Sequence, residues 1–243
     1  MAVNTKVNLS GLTLDNPVIP ASGTYGFGKE YVDFYDINIL GSISIKGTTV
    51  QRRKGNPQPR IAECYSGLIN SVGLENPGME NVIQKELKDL EKIYRKPVIA
   101  NISGFSVEEY VTLAREMDKV DNVGIIEVNI SCPNVDHGGL AFGTNADNVR
   151  ELTKKIKEVT TKPIYMKLSP NVTDIKEIAR AAEEGGADGI SLINTLMGMR
   201  IDINRRRPVI TNKKGGFSGP AIFPVALRMV YEVYEATDLP IIG

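Results

Sequence analysis

Seven short apolar runs recur along the chain, separated by amphipathic segments of helical periodicity. The runs are nearly continuous rather than alternating in polarity, which is typical of strands buried on both faces of a parallel sheet. They occupy residues 17–22, 42–47, 97–103, 124–131, 163–169, 189–194 and 240–243. Ahead of the first run, the segment KVNLSGLTLDN predicts a small β-hairpin that closes the bottom of the fold.

Each of the first six runs ends in a polar side chain or is followed closely by one. These side chains belong to Ser22, Lys46, Asn101, Asn129 with Cys132, Lys167, and Asn194 with Thr195. In a β/α barrel the carboxyl ends of all strands converge on one face, whereas a doubly wound sheet delivers ligands only near its switch point. The sequence therefore predicts an α/β fold of the (βα)8 TIM-barrel class, with these side chains facing one pocket.

The domain organisation follows from the length and from the number of runs. Residues 1–243 contain no linker or low-complexity stretch, and one barrel domain typically takes roughly 200–250 residues. After the seventh run a complete barrel would add a helix, an eighth strand and a final helix. We therefore expect a single barrel domain truncated after its seventh strand, without the eighth strand and the last helices.

The composition argues against several classes of function. The chain has 29 basic and 29 acidic residues, so its net charge gives no reason to expect nucleic acid or an anionic membrane as partner. Because the N-terminus lacks a signal-peptide pattern and no apolar run reaches ~18 residues, we expect a cytoplasmic protein. The single histidine, His137, cannot supply a three-histidine zinc site, and we expect no metal centre.

The predicted strand-end set contains lysines, amides, hydroxyls and one thiol, but no carboxylate. Amide side chains both donate and accept hydrogen bonds, which suits a flat heterocycle, and lysines favour negative charge on an electron-accepting ring. Cys132 is the titratable candidate for proton transfer, with an inert buried thiol as the alternative. Cys64 is interpreted as structural. These residue types indicate removal of a proton and a hydride from a small cyclic substrate.

Seven motifs follow one another along the whole chain: PASGTYGFG, SIKGTT, NSVGLENPG, VNISCPNV, MKLSPNVTD, LINTLMGM and GGFSGPA. In this order they resemble the class 1 dihydroorotate dehydrogenases, FMN-dependent barrels that oxidise dihydroorotate to orotate in pyrimidine synthesis. The combination of VNISCPNV with NSVGLENPG is highly specific. RIAECYSGLINSVGLENPG and LINTLMGMRID resemble the NAD-linked type 1B more than the fumarate-linked type 1A.

The resemblance implies a role for individual residues. Cys132 would be the base that takes the C5 proton while C6 gives hydride to flavin N5, and Asn134 would be a further substrate contact. Lys46 would serve substrate and flavin together, and Lys167 would lie near the N1 side of the ring. The implied FMN-binding residues are Ser22, Lys46, Gly47, Asn101, Asn129, Lys167, Ile193, Gly219 and Gly243. The implied substrate-binding residues are Lys46, Asn70, Ser71, Val72, Gly73, Leu74, Asn129, Asn194 and Thr195.

The resemblance also implies partners. Catalytic subunits of this type would form a homodimer and pair with a subunit that carries FAD and a 2Fe–2S cluster, through which electrons reach NAD⁺. Two alternatives stay open on the residues alone: another FMN-dependent pyrimidine reductase, and an inactive barrel fragment that only contacts a partner. A dihydrouridine enzyme is disfavoured, because its tRNA-binding face should be basic.

Replacing Cys132 tests the implied base. Cys132→Ala is expected to slow flavin reduction by dihydroorotate by at least about 10²–10⁴-fold, since general-base catalysis typically contributes that much. FMN and orotate should still bind, because the amides and lysines remain. Cys132→Ser should keep some activity at high pH, because a hydroxyl is harder to ionise than a thiol. Anaerobic stopped-flow measurement of flavin bleaching tests both variants, and near-normal bleaching with alanine would rule Cys132 out as the base.

Overall fold

A computed structural model describes residues 3–130 and 142–243, which form a mixed α/β fold. The strands are β1 (Val7–Leu9), β2 (Leu12–Leu14), β3 (Ile61–Cys64), β4 (Gly67–Asn70), β5 (Val98–Ile102), β6 (Val123–Asn129), β7 (Ile164–Lys167), β8 (Gly189–Ser191), β9 (Leu196–Met199), β10 (Ile201–Asp202), β11 (Arg207–Pro208), β12 (Lys214–Ser218) and β13 (Ile241–Ile242). The helices are α1 (Ser22–Tyr25), α2 (Met79–Asn81), α3 (Leu87–Glu91), α4 (Val107–Asp118), α5 (Ala146–Lys157), α6 (Ile175–Glu184) and α7 (Phe223–Tyr234). A π-helical turn, Val82–Glu86, joins α2 to α3. None of the helices within these two ranges has the length and apolar character that crossing a bilayer requires.

The central element is a five-stranded parallel sheet in the order β13–β8–β7–β6–β5. The five predicted runs from residue 97 onward all contribute to it, so these predictions are confirmed. Residues 42–48 extend the sheet beside β5 through parallel bridges from Ser44 to Ile99 and from Thr48 to Ile102. The backbone N–H of Ile45 donates to the carbonyl of Ile99 at 3.0 Å, which fixes this register. Six parallel segments thus lie side by side.

The prediction of a strand at residues 17–22 is wrong. Residues 17–21 have no regular structure, and Ser22 begins the short helix α1. Pro20, in the interior of the run, lacks the N–H that a sheet ladder needs, which accounts for the absence of pairing. One backbone bond, from the Gly41 N–H to the Val18 carbonyl at 2.9 Å, holds the segment near the fold. Within the described ranges β13 pairs with β8 alone, so the parallel sheet is open on that side.

Helices cover the parallel sheet because their apolar faces are buried against it, and polar caps fix where they begin. The Ser106 hydroxyl accepts a hydrogen bond from the Glu109 N–H at the start of α4. The Asp174 carboxylate accepts one from the Lys176 N–H at the start of α6. Each side chain satisfies a backbone donor that a helix leaves without an internal partner. The caps therefore set the points at which the chain turns back over the sheet.

The predicted N-terminal hairpin is confirmed as the antiparallel pair β1–β2. Leu9 and Leu14 of this hairpin pack in a small core cluster with Ile99, Ile125 and Tyr165, which belong to three neighbouring parallel strands. These strand residues precede the polar strand ends, so the hairpin closes the opposite end of the sheet.

A second sheet, which the sequence did not predict, is antiparallel and has the order β3–β4–β12–β9. Strand β12 lies at its centre, with Gly216 opposite Asn70 of β4 and opposite Met197 of β9. The segments that build it follow the carboxyl ends of the parallel strands in sequence. This sheet therefore places Asn70, and Thr195 just before β9, near the polar strand ends.

Candidate active site

The register of the parallel sheet sets polar side chains next to one another at its carboxyl edge. Asn101 of β5 is opposite Glu127 of β6, and Asn129 of β6 is opposite Lys167 of β7. Lys167 is in turn opposite Ser191 of β8. A shift of the register by one residue would break these pairings, so the strand alignment itself builds the site.

A buried carboxylate lies at the centre of this edge. Glu127 is 4 % exposed, and its Oε2 atom accepts hydrogen bonds from the Ser44 hydroxyl at 3.0 Å and from Asn101 Nδ2. The Lys167 ammonium lies 3.6 Å from the same oxygen. The expectation that the strand-end set contains no carboxylate is therefore wrong, and Glu127 is the functional candidate that sequence reasoning missed.

The charge state of Glu127 follows from these neighbours. Burial acts to raise the pKa of the carboxyl group, but the positive charge of Lys167, the hydrogen bond from Asn101 and the neighbouring hydroxyls of Ser191 and Ser44 outweigh it. The pKa of Glu127 therefore lies below its ordinary value, and the side chain is an ionised partner of Lys167 at neutral pH. The sequence did carry a signal: a single acidic residue inside the apolar run GIIEVNI must find a partner when the strand is buried.

The oxygen of the Asn101 side-chain amide lies next to Gly47. The Asn101 side chain is buried, and its Oδ1 atom has no hydrogen-bond partner within the described part of the chain. A Cβ atom at Gly47 would lie 2.8 Å from this oxygen and 3.6 Å from Leu74. Glycine at position 47 thus lets the backbone approach the amide closely. Three predicted site residues are therefore neighbours in the fold: Gly47, Leu74 and Asn101.

A chain of hydrogen bonds links the predicted residues of the next two strand ends. The Asn129 amide donates to the Ser103 hydroxyl at 3.1 Å, and the Asn194 amide donates to Asn129 Oδ1 at 3.2 Å. The Thr195 N–H then donates to Asn194 Oδ1 at 2.7 Å. The Tyr110 hydroxyl donates to the Asn129 carbonyl at 2.7 Å. These bonds fix the orientation of both amides.

Asn70 joins this group through the antiparallel sheet. Its amide donates to the Gly216 carbonyl at 3.3 Å. A Cβ atom at Gly216 would overlap the Thr195 hydroxyl oxygen, so only glycine fits at this position. Thr195 therefore packs directly on the backbone of β12, and Asn70 and Thr195 are held on either side of Gly216.

The predicted substrate-binding segment 71–74 is a loop that hydrogen bonds hold to neighbouring residues. The Ser71 N–H donates to the Arg60 carbonyl at 2.7 Å, and the Asn56 N–H donates to the Val72 carbonyl at 2.9 Å. Arg53 Nε donates to the Gly73 carbonyl at 3.3 Å. Gly73 and Leu74 both have positive φ, +79° and +57°, so the chain turns sharply here.

Lys46 and Ser22 are the predicted site residues that come first along the chain. The Lys46 backbone N–H donates to the Gly26 carbonyl at 2.8 Å, which brings the loop after α1 beside residues 42–48. Burial lowers the pKa of Lys46, and nearby Arg60 lowers it further, while Glu75 opposes both. Ser22 is buried at the first position of α1.

Three other predicted residues line a cavity of about 470 Å³, namely Lys167, Ile193 and Gly243. Glu127 and Ser44 line it too. Gly219, at the end of β12 with φ +118°, lines an adjoining cavity of about 580 Å³. The two cavities share Ile222, Phe223 and Ala226.

A larger cavity of about 720 Å³ lies on the antiparallel sheet, between Cys64 and the β10–β11 segment. None of the predicted site residues lines it, so its size does not make it the candidate site. Cys132, Asn134 and His137 lie outside the described residues, and the role of Cys132 stays a prediction.

The parallel sheet and the polar cluster at its carboxyl edge define an α/β protein with a ligand site built from strand ends. Comparison with known proteins identifies the family. Residues 4–243 match the model of the family described as dihydroorotate dehydrogenase. The chain belongs to this family.

Individual relatives agree with the family match. The chain is 56 % identical over 238 residues to a protein of Bacillus cytotoxicus named dihydroorotate dehydrogenase B (NAD(+)), catalytic subunit. It is also 56 % identical to proteins of the same name from Halalkalibacterium halodurans, over 237 residues, and Bacillus cereus, over 238 residues. Each alignment covers 98 % of this chain and 77 % of the relative. These relatives are named for the NAD-linked type, which the motifs favoured.

Removing Lys167 tests the buried ion pair. Lys167→Met keeps the volume of the stem but leaves the Glu127 carboxylate without a counter-charge, so we expect a loss of about 3–5 kcal/mol in unfolding free energy at pH 7. In the native chain the pKa of Glu127 is lowered, so its contribution to stability is lost as pH falls. In the variant desolvation raises that pKa above its unfolded value, so stability is instead lost as pH rises.

The deficit of Lys167→Met should therefore shrink on acidification from pH 7 towards about pH 4.5, near the unfolded pKa of a glutamate. Urea unfolding at the two pH values measures it. Lys155→Met is the matched control, because Lys155 forms an exposed pair with Glu151 at 3.4 Å and should cost under about 1 kcal/mol. An equal deficit at both pH values would show that Glu127 is not held ionised by Lys167.

Proposed function

We propose that this chain is the catalytic subunit of an NAD-linked dihydroorotate dehydrogenase, which oxidises (S)-dihydroorotate to orotate in pyrimidine biosynthesis. The observation that carries the proposal is the family match over residues 4–243 together with 56 % identity to relatives of that name. The polar cluster at the carboxyl edge of the parallel sheet supports it, because several of the residues that the motifs implied for flavin and substrate lie there: Asn101, Asn129, Lys167, Asn194 and Thr195.

The residues at the sheet edge suit FMN as cofactor. The buried Asn101 Oδ1, without a partner in the described ranges, is an acceptor for a ring N–H, and Gly47 allows a flat ring to approach the backbone. Ser22, Lys46, Asn129, Lys167, Ile193, Gly219 and Gly243 are the other residues that would hold it. When bound, FMN would accept the hydride from C6 of dihydroorotate.

The chain's own amides would orient the substrate. Asn70, Asn129, Asn194 and Thr195 offer donors and acceptors on neighbouring elements, which fit the ring amides and the carboxylate of dihydroorotate. Lys46, from residues 42–48, would add the positive charge that an anionic substrate requires. The 71–74 loop would close the same shell. Because these groups are held by hydrogen bonds to each other, little rearrangement is needed on binding.

Cys132 would remove the C5 proton, with Asn134 beside the substrate. A free thiol has a pKa of about 8.5, so it is a weak base at neutral pH unless its surroundings lower that value. The proposed reaction is balanced: the proton leaves C5 to the thiolate, and the hydride leaves C6, forming the C5–C6 double bond of orotate.

The electrons would leave through another subunit. The relatives are named catalytic subunits, which implies a second kind of subunit in those proteins. We propose that this chain pairs with a subunit carrying FAD and a 2Fe–2S cluster, and that two catalytic subunits form a dimer. Among the described residues no three His, Cys, Asp or Glu side chains cluster as ligands of a metal ion.

The open parallel sheet is the basis for a proposal about topology. We propose a (βα)8 barrel whose eighth strand would pair with β13. The face on which a further βα unit would pack is apolar: on α7, Phe223 is 65 %, Leu227 is 58 % and Tyr231 is 59 % exposed. An exposed strand edge and an apolar patch of this kind are usually covered in a stable protein.

Visible spectroscopy tests the proposed function. The purified chain, supplied with FMN and washed, should show the absorbance of bound flavin, and anaerobic dihydroorotate should bleach it. Dihydrouracil, which lacks the carboxylate, serves as a control and should bleach it far more slowly. A protein that binds no flavin supports the inactive-fragment alternative instead, and bleaching by dihydrouracil at equal rate supports a different pyrimidine reductase.

Extending the chain tests the proposed topology. A chimera that adds the residues following the corresponding glycine in a relative should melt at a higher temperature, because each large apolar side chain it buries adds about 1.5–3 kcal/mol. Leu227→Ala should cost little in the present chain but about 2–5 kcal/mol in the chimera. Equal melting temperatures, or an equal cost of Leu227→Ala in both backgrounds, would place the added segment away from α7.

A further inference from the structure

Glu127 is the one charged residue among the buried residues of the described ranges, and the proposed reaction does not use it. A carboxylate in the middle of a covered sheet is costly to desolvate and persists only where it is paired. The Lys167 ammonium is 3.6 Å away, beyond the usual hydrogen-bond length. The direct hydrogen bonds to the carboxylate are neutral ones, from Ser44 and Asn101.

The bond to Asn101 has a consequence for the opposite end of that amide. An ionised carboxylate only accepts hydrogen bonds, so it holds the NH₂ end of Asn101 and turns the oxygen away from itself. That oxygen, Oδ1, is buried without a partner in the described ranges. A Cβ atom at Gly47 would lie 2.8 Å from it, so the oxygen is presented at Gly47. Gly47 is one of the residues proposed to hold FMN.

We propose that Glu127 is a positioning residue, which fixes the Asn101 amide so that its oxygen, and not its NH₂ group, faces the flavin pocket as a hydrogen-bond acceptor. This inference rests on the proposed function, since it takes FMN as the ligand. An acceptor selects an N–H group, and the oxidised isoalloxazine ring has one ring N–H. Glu127 would thus act on flavin affinity through Asn101.

A double-mutant cycle tests the inference with FMN affinity as the readout. The four proteins are the native chain, Glu127→Gln, Asn101→Ala and the double variant, and quenching of FMN fluorescence gives each dissociation constant. The introduced glutamine amide presents both a donor and an acceptor, so it no longer holds the Asn101 NH₂ end alone. We expect Glu127→Gln to weaken FMN binding about tenfold in the native background. In the Asn101→Ala background it should weaken binding less than about threefold.

The cycle separates orientation from charge and from general destabilisation. Glu127→Gln removes one negative charge in both backgrounds, so any effect on the FMN phosphate cancels. Ile156→Ala, in the helical layer on α5, lowers the melting temperature by creating a cavity and should leave the FMN dissociation constant unchanged. Ser44→Ala provides a second cycle if Glu127→Gln does not fold, because it removes one hydrogen bond to Glu127 and keeps the charge. We expect it to weaken FMN binding about threefold, again through Asn101.

An equal loss of affinity in both Asn101 backgrounds would mean that Glu127 acts only on stability or charge, and it would overturn the inference. So would unchanged affinity in Glu127→Gln. Failure of the native chain itself to bind FMN would overturn the proposed function, and the inference with it, so the two failures are distinguishable.

Discussion

Parallel pairing is the constraint on which the rest of this structure depends. Parallel strands must be joined by crossovers, and the helices of those crossovers cover the sheet, so its strands read as nearly continuous apolar runs. The same geometry collects every strand's carboxyl end at one edge. Here the register pairs Asn101 with Glu127 and Asn129 with Lys167. Burial of the sheet and assembly of the site are therefore two results of one arrangement.

Apolar continuity predicted the positions of the parallel strands but not whether each would pair. The run 163–169 became β7, because its one proline, Pro163, lies just before the strand and every residue of Ile164–Lys167 has an N–H. The run 17–22 has the same apolar character but contains Pro17 and Pro20, and it forms no strand. The antiparallel sheet was missed for another reason. Its central strand, KGGFS, has two glycines and little alternation of polar and apolar residues, so it does not look like a strand. The two glycines are needed because Asn70 and Thr195 pack against them, and these contacts exist only in the folded chain.

The parts of the candidate site that could be predicted from the sequence are polar residues that stand at the end of an apolar run. Asn129 and Asn194 are of this kind, and the hydrogen bond between them puts them together. Glu127 was not found, because it lies two residues before the strand end and inside an apolar run. Its importance comes from its neighbours in the fold: Lys167 on the next strand, Asn101 on the previous strand and Ser44 on the segment beyond that. A sequence shows none of these distances.

The antiparallel sheet also governs the order in which the molecule can assemble. Asn70 and Gly216 are hydrogen-bonded across a separation of 146 residues, whereas neighbouring parallel strands are joined by much shorter crossovers. Long-range pairings close late, because a large loop must lose its entropy before any contact compensates. During synthesis the parallel layer from β5 to β8 can form before β12 has emerged from the ribosome. We therefore expect the parallel strands of the site to form early, and the antiparallel sheet, which brings Asn70 close to Thr195, to complete the site only when nearly the whole chain is available.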